Sequence, residues 1–404
     1  MSQMKIIKDP VHGYIEVPSP ALAILDSPPL QRLRYIRQLG FSYLVYPGAN
    51  HTRFEHSLGT MFLSLVMARQ LMLNEEEQKM VTAAALIHDI GHGPFSHAIE
   101  PVMKKLCGIT HHHASWFLED PDLSLILEDH DISRAEVAAM LQGNHRLSEI
   151  LHGDLDVDRM DYLLRDAHYT GAPYGTVDAH RLIRNTIITD GHIAIEEGGI
   201  NAAESLLIAR TLMRPAVYFH HVSRIAEMMF SHAVVEHLRS IRNTNPAAFM
   251  RLDDAGCLQS LLHSPSDVAR TMMENIYLRQ MYKRALYVGR DQVNVASLAK
   301  EAGPGKNQEI AFRIARSAGI GDHEVLVDIP EFPRSMSVQV KVKNRHRLIG
   351  LEELSPLVTT LNETRRGQWR LGVYTLPEHV QIVGAAARDL LPVRPFTTQD
   401  RLPL

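Results

Sequence analysis

The sequence predicts a mainly α protein: a helical core over residues 1–319, followed by a small α+β module over 320–404. Three observations carry this expectation. Apolar residues recur at three- and four-residue spacing through most of the first 319 positions, and strand-like runs gather after Gly319-Ile320-Gly321. The chain has 404 residues, 45% of them apolar, which is enough to bury a large core without covalent staples.

Composition excludes several classes. The 42 Lys plus Arg nearly balance the 46 Asp plus Glu, so no whole-protein charge recommends nucleic acid or an anionic membrane, and a polyanion must be held by a local cluster. The 24 Gly and 21 Pro are ordinary, which argues against a disordered or fibrous chain. Cys107 and Cys257 form no CxxC, so neither a disulfide framework nor a thiolate zinc knot is expected. No apolar stretch is long enough to span a bilayer, and the first ten residues carry Lys5 and Lys8 but no apolar core of a signal peptide. The expectation is a cytoplasmic protein without a membrane partner.

Along the chain, Val11 to Val17 alternates weakly and is closed by Pro18 and Pro20, a short strand or clip. Asp26 is read as an N-cap, and with Pro28 and Pro29 it opens a helix through Leu30, Leu33, Ile36 and Leu39 that Gly40 stops. Phe54 to Leu73 carries Phe54, Leu58, Met61, Leu65 and Ala68 down one side. Glu75 to Ile90 is apolar nearly all round from Val81 onward, hence central, and Gly91, Gly93 and Pro94 break it. Helical spacing resumes near Ala114, Ser133 to Leu141 and Asp158 to Ala167. Asp190-Gly191 between two β-branched runs predicts a type I′ hairpin. Further helices are expected over Asn201 to Arg214, over Val217 to Leu238 after a restart at Pro215, over Pro265 to Tyr287, and in two shorter pieces up to Ala318. Strands are expected at Val325 to Ile329, Met336 to Val342, Trp369 to Thr375 and Val380 to Ala385.

Three blocks carry the chemistry: Thr52-Arg53-Phe54-Glu55-His56-Ser57-Leu58-Gly59, His88-Asp89-Ile90-Gly91-His92-Gly93-Pro94-Phe95-Ser96-His97, and Asp154 to Tyr162 with Asp156, Asp158 and Asp161. An isolated histidine on an apolar helix is usually a hydrogen-bonded core residue. Adjacent His88 and Asp89 at the end of a buried helix are different, because a buried carboxylate is costly unless a cation answers it. Two imidazoles and two carboxylates suit one divalent ion such as Mn, Fe, Ni, Co or Zn, with Mg retained as a further candidate. Asp158, which opens a helix, is the favoured distant carboxylate. Phosphate contacts need fixed positive charge, for which Arg53, three residues before His56, and Arg210 and Arg214, four apart on one helical face, are candidates. Glu100, eight residues past His92, can orient that imidazole.

In this order the blocks resemble the HD-domain metal-dependent phosphohydrolases, and within them the deoxynucleoside triphosphate triphosphohydrolase (dGTPase)-like branch, from Lys5 to about residue 290. The resemblance implies one divalent metal held by His56, His88, Asp89 and Asp158. It implies His92 as the proton-transfer residue paired with Glu100, where some relatives have Asp, and His111 near the leaving oxygen. By the same resemblance Gln38 would touch the nucleoside, Tyr162 and Asp166 the sugar, Arg210 the terminal phosphates, and Tyr218 and His220 the substrate channel. Water would attack the α-phosphorus and release nucleoside and triphosphate. The resemblance further implies a homo-oligomer and a nucleotide activator between subunits near Lys5, Asp26 and Arg34, although Lys8 replaces the small amide residue common in activated relatives. Two alternatives stand beside it. One is an HD phosphohydrolase for nucleoside monophosphates or an alarmone. The other is a nucleotide-sensing or nucleic-acid-binding protein using the basic run Lys341, Lys343, Arg345, His346 and Arg347.

Overall fold

The computed structural model describes residues 4–110, 118–242, 245–301, 306–332, 340–345 and 347–394. Mainly α architecture is observed, and the chain forms two compact units. The first comprises Met1–Ser223, Thr244–Ser260 and Met336–Leu361; the second comprises Arg224–Asn243, Leu261–Ser335 and Asn362–Leu404. The division is therefore discontinuous and does not fall at residues 319 and 320. A strand after residue 340 pairs back into the first unit's sheet, which returns residues 336–361 to that unit.

In the first unit, β1 (Lys5–Asp9) and β2 (Gly13–Val17) pair antiparallel with Ile7 opposite Ile15. Helices α1 (Ser19–Leu25) and α2 (Pro28–Arg32) follow, with Ser27 rather than Asp26 at the N-cap of α2 and prolines in its first turn. The expected continuation to Gly40 does not form. After one 3-10 turn at Leu33–Tyr35, Ile36 is extended. Its carbonyl accepts from the Arg53 N–H at 2.9 Å and the Gln38 N–H donates to the His51 carbonyl at 3.0 Å, so backbone groups that would extend the helix serve a bridge to residues 51–53.

Helix α3 (Arg53–Gln70) starts from a capping box in which the Thr52 N–H donates to Glu55 Oε2 at 2.7 Å. Helix α4 (Glu75–Ile87) is capped by Asn74, has three glutamates in its first turn, and is buried from Met80 to its end. These helices pack on each other, and α6 (Pro121–Asp129), α7 (Arg134–Leu141) and α8 (Val157–Thr170) complete this part of the core, while α5 (Glu100–Cys107) buries Val102 and Met103 outside that cluster. Asp156 caps α8 by accepting from the Arg159 N–H at 2.8 Å. Gly59 sets the approach of α3 to α8: a Cβ there would fall on the Asp161 carboxylate and the Arg165 guanidinium.

β3 (Thr186–Thr189) and β4 (His192–Glu196) form the expected hairpin, with φ of +51° at Asp190 and +76° at Gly191, as a type I′ turn requires. Helix α9 (Ile200–Met213) passes at Pro215 into a π-helical turn, Arg214–Tyr218, in place of a clean restart. The strand read at Met336 to Val342 lies partly outside the described residues. Its described portion, β7 (Lys341–Asn344), runs parallel to β4 and antiparallel to β8 (Arg347–Gly350). Lys343 is exposed and stands in register with Glu196 while Val342 is buried, the arrangement of an ordinary solvated hairpin; His346 lies outside the described residues.

In the second unit an antiparallel sheet of β5 (Lys283–Gly289), β6 (Val325–Asp328) and β9 (Arg370–Thr375), in the order β5-β9-β6, packs against α11 (Lys306–Ala318) and α12 (Val380–Leu390). Two expectations fail here. The helix expected to run to Tyr287 stops as α10 (Asp267–Tyr277), and Ala285, Leu286 and Val288 belong to a strand. Val380 to Ala385 is helical, because Val383, Ala386 and Ala387 share one face toward the sheet. Among the described residues, no helix is long and apolar enough to cross a membrane.

Candidate metal centre and active site

Three helix ends meet at one point. The first turn of α3 supplies His56, the end of α4 supplies His88 and Asp89, and the first turn of α8 supplies Asp158. The Nε2 atoms of His56 and His88 are 3.2 Å apart. Asp158 Oδ1 lies 3.0 Å from the first and 3.7 Å from the second. Asp89 Oδ2 is 3.7 Å from His56 Nε2, and its Oδ1 is 3.4 Å from His88 Nε2. Two nitrogens each about 2.1 Å from one ion stand about 3.0 Å apart at a right angle and about 3.4 Å apart at the tetrahedral angle, so the observed spacing fits shared coordination. A mixed imidazole and carboxylate set fits a divalent cation.

The rings are aimed from behind. His56 Nδ1–H donates to Asp161 Oδ2 at 2.7 Å, and His88 Nδ1–H donates to the Ala85 carbonyl at 2.7 Å, which directs both Nε2 atoms at the centre. Asp161 is fully buried and in turn accepts from Arg165 through Nε and Nη2, each at 2.9 Å, and from His12 Nε2 at 2.6 Å. Arg165 also donates to Asp9 at 2.9 Å. Sequence reasoning assigned no role to His12, Asp161 or Arg165. The i, i+4 spacing of Asp161 and Arg165 was a usable signal; His12, remote in sequence, offered none.

Electrostatics show how strongly the cluster calls for positive charge. Burial alone would push the His56 imidazole down, but the hydrogen-bonded Asp158 and Asp161 carboxylates outweigh it and raise it to about 10. His88 is raised as well, with burial again opposed by Asp89 and Asp158. Burial favours protonation of Asp89 and Asp158, yet both are held below the usual carboxylate range, the first chiefly by Arg53 and His88, the second by His56 and His88. A metal must therefore displace a proton from His56, whereas the carboxylates are already ionised. Divalent-metal affinity is expected to rise with pH from neutral up to about 10, by about tenfold per pH unit for each proton displaced. Calorimetric titration in buffers of different ionisation enthalpy checks this; binding without proton release would contradict it.

Beside the centre, His92 Nε2 is 3.3 Å from Asp89 Oδ1, and His92 Nδ1 is 3.3 Å from Glu100 Oε1. Glu100 also meets His97 Nδ1 at 2.9 Å, a partner sequence reasoning left unassigned. Arg53 is 2% exposed; it donates to Asp89 Oδ2 at 2.5 Å and to Ser96 Oγ at 2.7 Å, and its Nη2 is buried with no hydrogen-bond partner among the described residues. His111 lies outside the described residues.

The substrate candidates divide. Asp166 accepts from Tyr218 Oη at 2.8 Å and from His51 Nε2 at 2.7 Å; His51 carried no role in the sequence reading. The Tyr162 ring stands 6.4 Å from that of His56 and 6.1 Å from that of Tyr218, linking this group to the metal ligands. Arg210 lies within electrostatic reach of Asp156 and Tyr162. The Gln38 Oε1 and His51 Nδ1 atoms are buried without hydrogen-bond partners, a form of polar surface that a ligand satisfies. Arg214 stacks over the Phe219 ring at 3.9 Å, and His220 stacks on His221 at 4.5 Å. Neither stacking contact is with a metal ligand.

Fold and site together define a mainly helical protein with a candidate histidine–aspartate metal centre. Comparison with known proteins places it further. The HD-domain model matches residues 53–166, and the HD associated region model matches residues 177–402. An uncharacterized protein of Methanocaldococcus jannaschii is 33% identical over 382 residues, covering 94% of this chain and 80% of that one. The deoxynucleoside triphosphate triphosphohydrolase SAMHD1 homolog of Dictyostelium discoideum is 32% identical over 309 residues, covering 69% of this chain but 59% of that protein's length. A solved structure of a phosphohydrolase from Bacteroides thetaiotaomicron superposes with a TM-score of 0.71 at 27% identity, covering 92% of this chain and 98% of that one. The chain belongs to the HD-domain family of phosphohydrolases and carries the HD associated region.

Proposed function

We propose that this phosphohydrolase cleaves deoxynucleoside triphosphates into deoxynucleoside and inorganic triphosphate at the centre formed by His56, His88, Asp89 and Asp158. The observation that carries this reading is the convergence of those donors beside Arg53, whose buried Nη2 has no hydrogen-bond partner among the described residues. The relatives named for that reaction support the substrate class.

A bound divalent ion would supply charge for the α-phosphoryl group and orientation for the attacking water. The chain's own residues do the rest. Arg53 offers its free Nη2 to a phosphoryl oxygen while its Nη1 fixes Asp89. His92, between Asp89 and Glu100, is placed to take the proton of the attacking water or pass one to the departing 5′ oxygen, with His111 proposed beside that oxygen. Water oxygen bonds to the α-phosphorus, the bond to the 5′ oxygen breaks, and that oxygen leaves protonated. Tyr162, Asp166 and Tyr218 hold the sugar, Gln38 the nucleoside, and Arg210 and Arg214 the outer phosphates, with His220 lining the channel. The reading extends to a homo-oligomer with a nucleotide activator. Lys5, Asp26 and Arg34 are exposed, and the Arg34 guanidinium lies 3.5 Å over the ring of Phe54, two residues from His56.

The test supplies metal-stripped protein separately with Mn, Mg, Ni and Zn against the four dNTPs, with and without a second nucleotide, and light scattering in parallel. Release of intact triphosphate is expected. Release of orthophosphate from monophosphates, without triphosphate from any dNTP, would replace this reading with the monophosphate one. In the same assay Arg210→Ala is expected to raise KM for dGTP by about tenfold or more and to leave a monophosphate diester little affected, since its charge meets the outer phosphates. Equal losses on both substrates would remove Arg210 from that role.

A further inference from the structure

The loop joining His92 to Glu100 is folded in an unusual way. Phe95 and Ser96 take φ of +55° and +56°, two consecutive non-glycine residues in the left-handed region. This reversal lets His92 and His97, five residues apart, meet at right angles with ring centroids 4.8 Å apart and brings both Nδ1 atoms within 3.3 Å of one Glu100 oxygen, with His97 Nδ1 hydrogen-bonded to it at 2.9 Å. Such a turn persists only where its surroundings determine it, and besides Ser96 and Arg53 the residues that do so come from outside the three sequence blocks. Asp254, 5% exposed, accepts the Phe95 N–H on Oδ1 at 2.7 Å and the Arg37 N–H on Oδ2 at 3.1 Å. The Arg37 carbonyl accepts from Ser96 Oγ at 2.5 Å, and Ser96 Oγ accepts from Arg53, which holds Asp89. On the opposite side Arg32 Nη2 donates to the His92 carbonyl at 2.7 Å. The Phe95 ring lies flat on Phe41 at 4.4 Å, and the Phe95 carbonyl sits 2.9 Å from where a Cβ on Gly40 would be.

We propose that Asp254 is a positioning residue for the hydrolysis: by binding the Phe95 and Arg37 amides with its two oxygens it locks the left-handed step that aims His92 at the metal ligands. The role rests on the reading of His92 with Glu100 as the proton-transfer pair. Asp254 acts through the loop backbone and not on the ion.

The experiment compares Asp254→Ala and Asp254→Asn with the unaltered protein in three measurements: backbone hydrogen exchange, Mn affinity by calorimetry, and hydrolysis of dGTP and of bis(p-nitrophenyl) phosphate. In Asp254→Ala, exchange at Phe95 to His97 is expected to accelerate while α4 is unchanged, because a local opening is released. Its Mn affinity should stay close to the unaltered protein, while kcat falls by about a hundredfold with little change in KM, the scale of a displaced catalytic group. Asp254→Asn, whose Oδ1 still accepts the Phe95 N–H but whose Nδ2 cannot accept from Arg37, should recover part of both. Unchanged exchange in Asp254→Ala, Mn affinity falling in step with kcat, or an Asn variant as impaired as the Ala variant would each overturn the proposal. An unaltered protein that cleaves the diester but no dNTP would sink the substrate reading alone, and the Asp254 comparison would still be decided on the diester.

Discussion

Asp158→Ala is expected to lose metal and catalysis together while keeping its fold. The carboxylate sits in the first turn of α8, is partly exposed, and shares no job with the helix cap, which belongs to Asp156. Removing it takes away the candidate ligand nearest His56 Nε2 and leaves His56, His88 and Asp89 as the remaining donors. Metal-induced stabilisation is the sensitive readout. The unaltered protein at a hundred times its Kd gains about 2.7 kcal/mol from the ion, and a variant that no longer binds at that concentration gains none. In chelator the two should unfold at similar denaturant concentrations, which separates ligand loss from misfolding. Charge stabilisation by a bound ion is worth several kcal/mol, so kcat should fall by about 10³ or more. A variant that keeps both its metal shift and its turnover would remove Asp158 from the ligand set.

The part of this site that the sequence displays is the part encoded locally. His88 and Asp89 adjoin at the end of a helix whose apolar character is visible from Val81 onward, and Asp158 opens a helix next to its capping Asp156. Asp190-Gly191 names its own turn. What stays hidden depends on partners distant in sequence. His12 reaches Asp161 from the β1–β2 turn, and His51 reaches Asp166 across more than a hundred positions. Backbone pairing hides elements for the same reason. Leu30, Leu33, Ile36 and Leu39 hold helical spacing, but the carbonyl of Ile36 and the amide of Gln38 pair with residues 51–53, and the chain is extended there. At Val380 to Leu390 the ambiguity is of another kind, since a short apolar run reads as strand or helix until the sheet it packs on is known. The discontinuous division of the chain follows from the parallel pairing of β4 with β7, a contact that no local spacing announces.

Asp161 joins the metal site to the stability of the fold, and its removal should show both effects at once. Its carboxylate is fully buried and serves His56, His12 and Arg165 simultaneously. Burial pushes it toward the neutral form, but Arg165 above all, with His12 and His56, holds it well below the usual range. A carboxyl depressed on folding contributes stability that is complete above its unfolded value near 4 and fades as pH falls from there, so the contribution is fully present at neutral pH. Asp161→Ala leaves the buried Arg165 guanidinium with Asp9 alone and should cost about 3–5 kcal/mol in urea unfolding, the scale for stripping one partner from a buried ion pair. Loss of the acceptor behind His56 Nδ1 should also weaken metal binding by about 10- to 100-fold. The two effects separate in the double variant Asp161→Ala with Arg165→Met. Deleting the stranded charge should restore part of the stability, whereas metal affinity should stay as low as in Asp161→Ala, since His56 Nδ1 then keeps only the longer contact to Thr60 Oγ1 at 3.4 Å. If affinity recovered together with stability, the Asp161 carboxylate would matter to the centre only as a support for the fold.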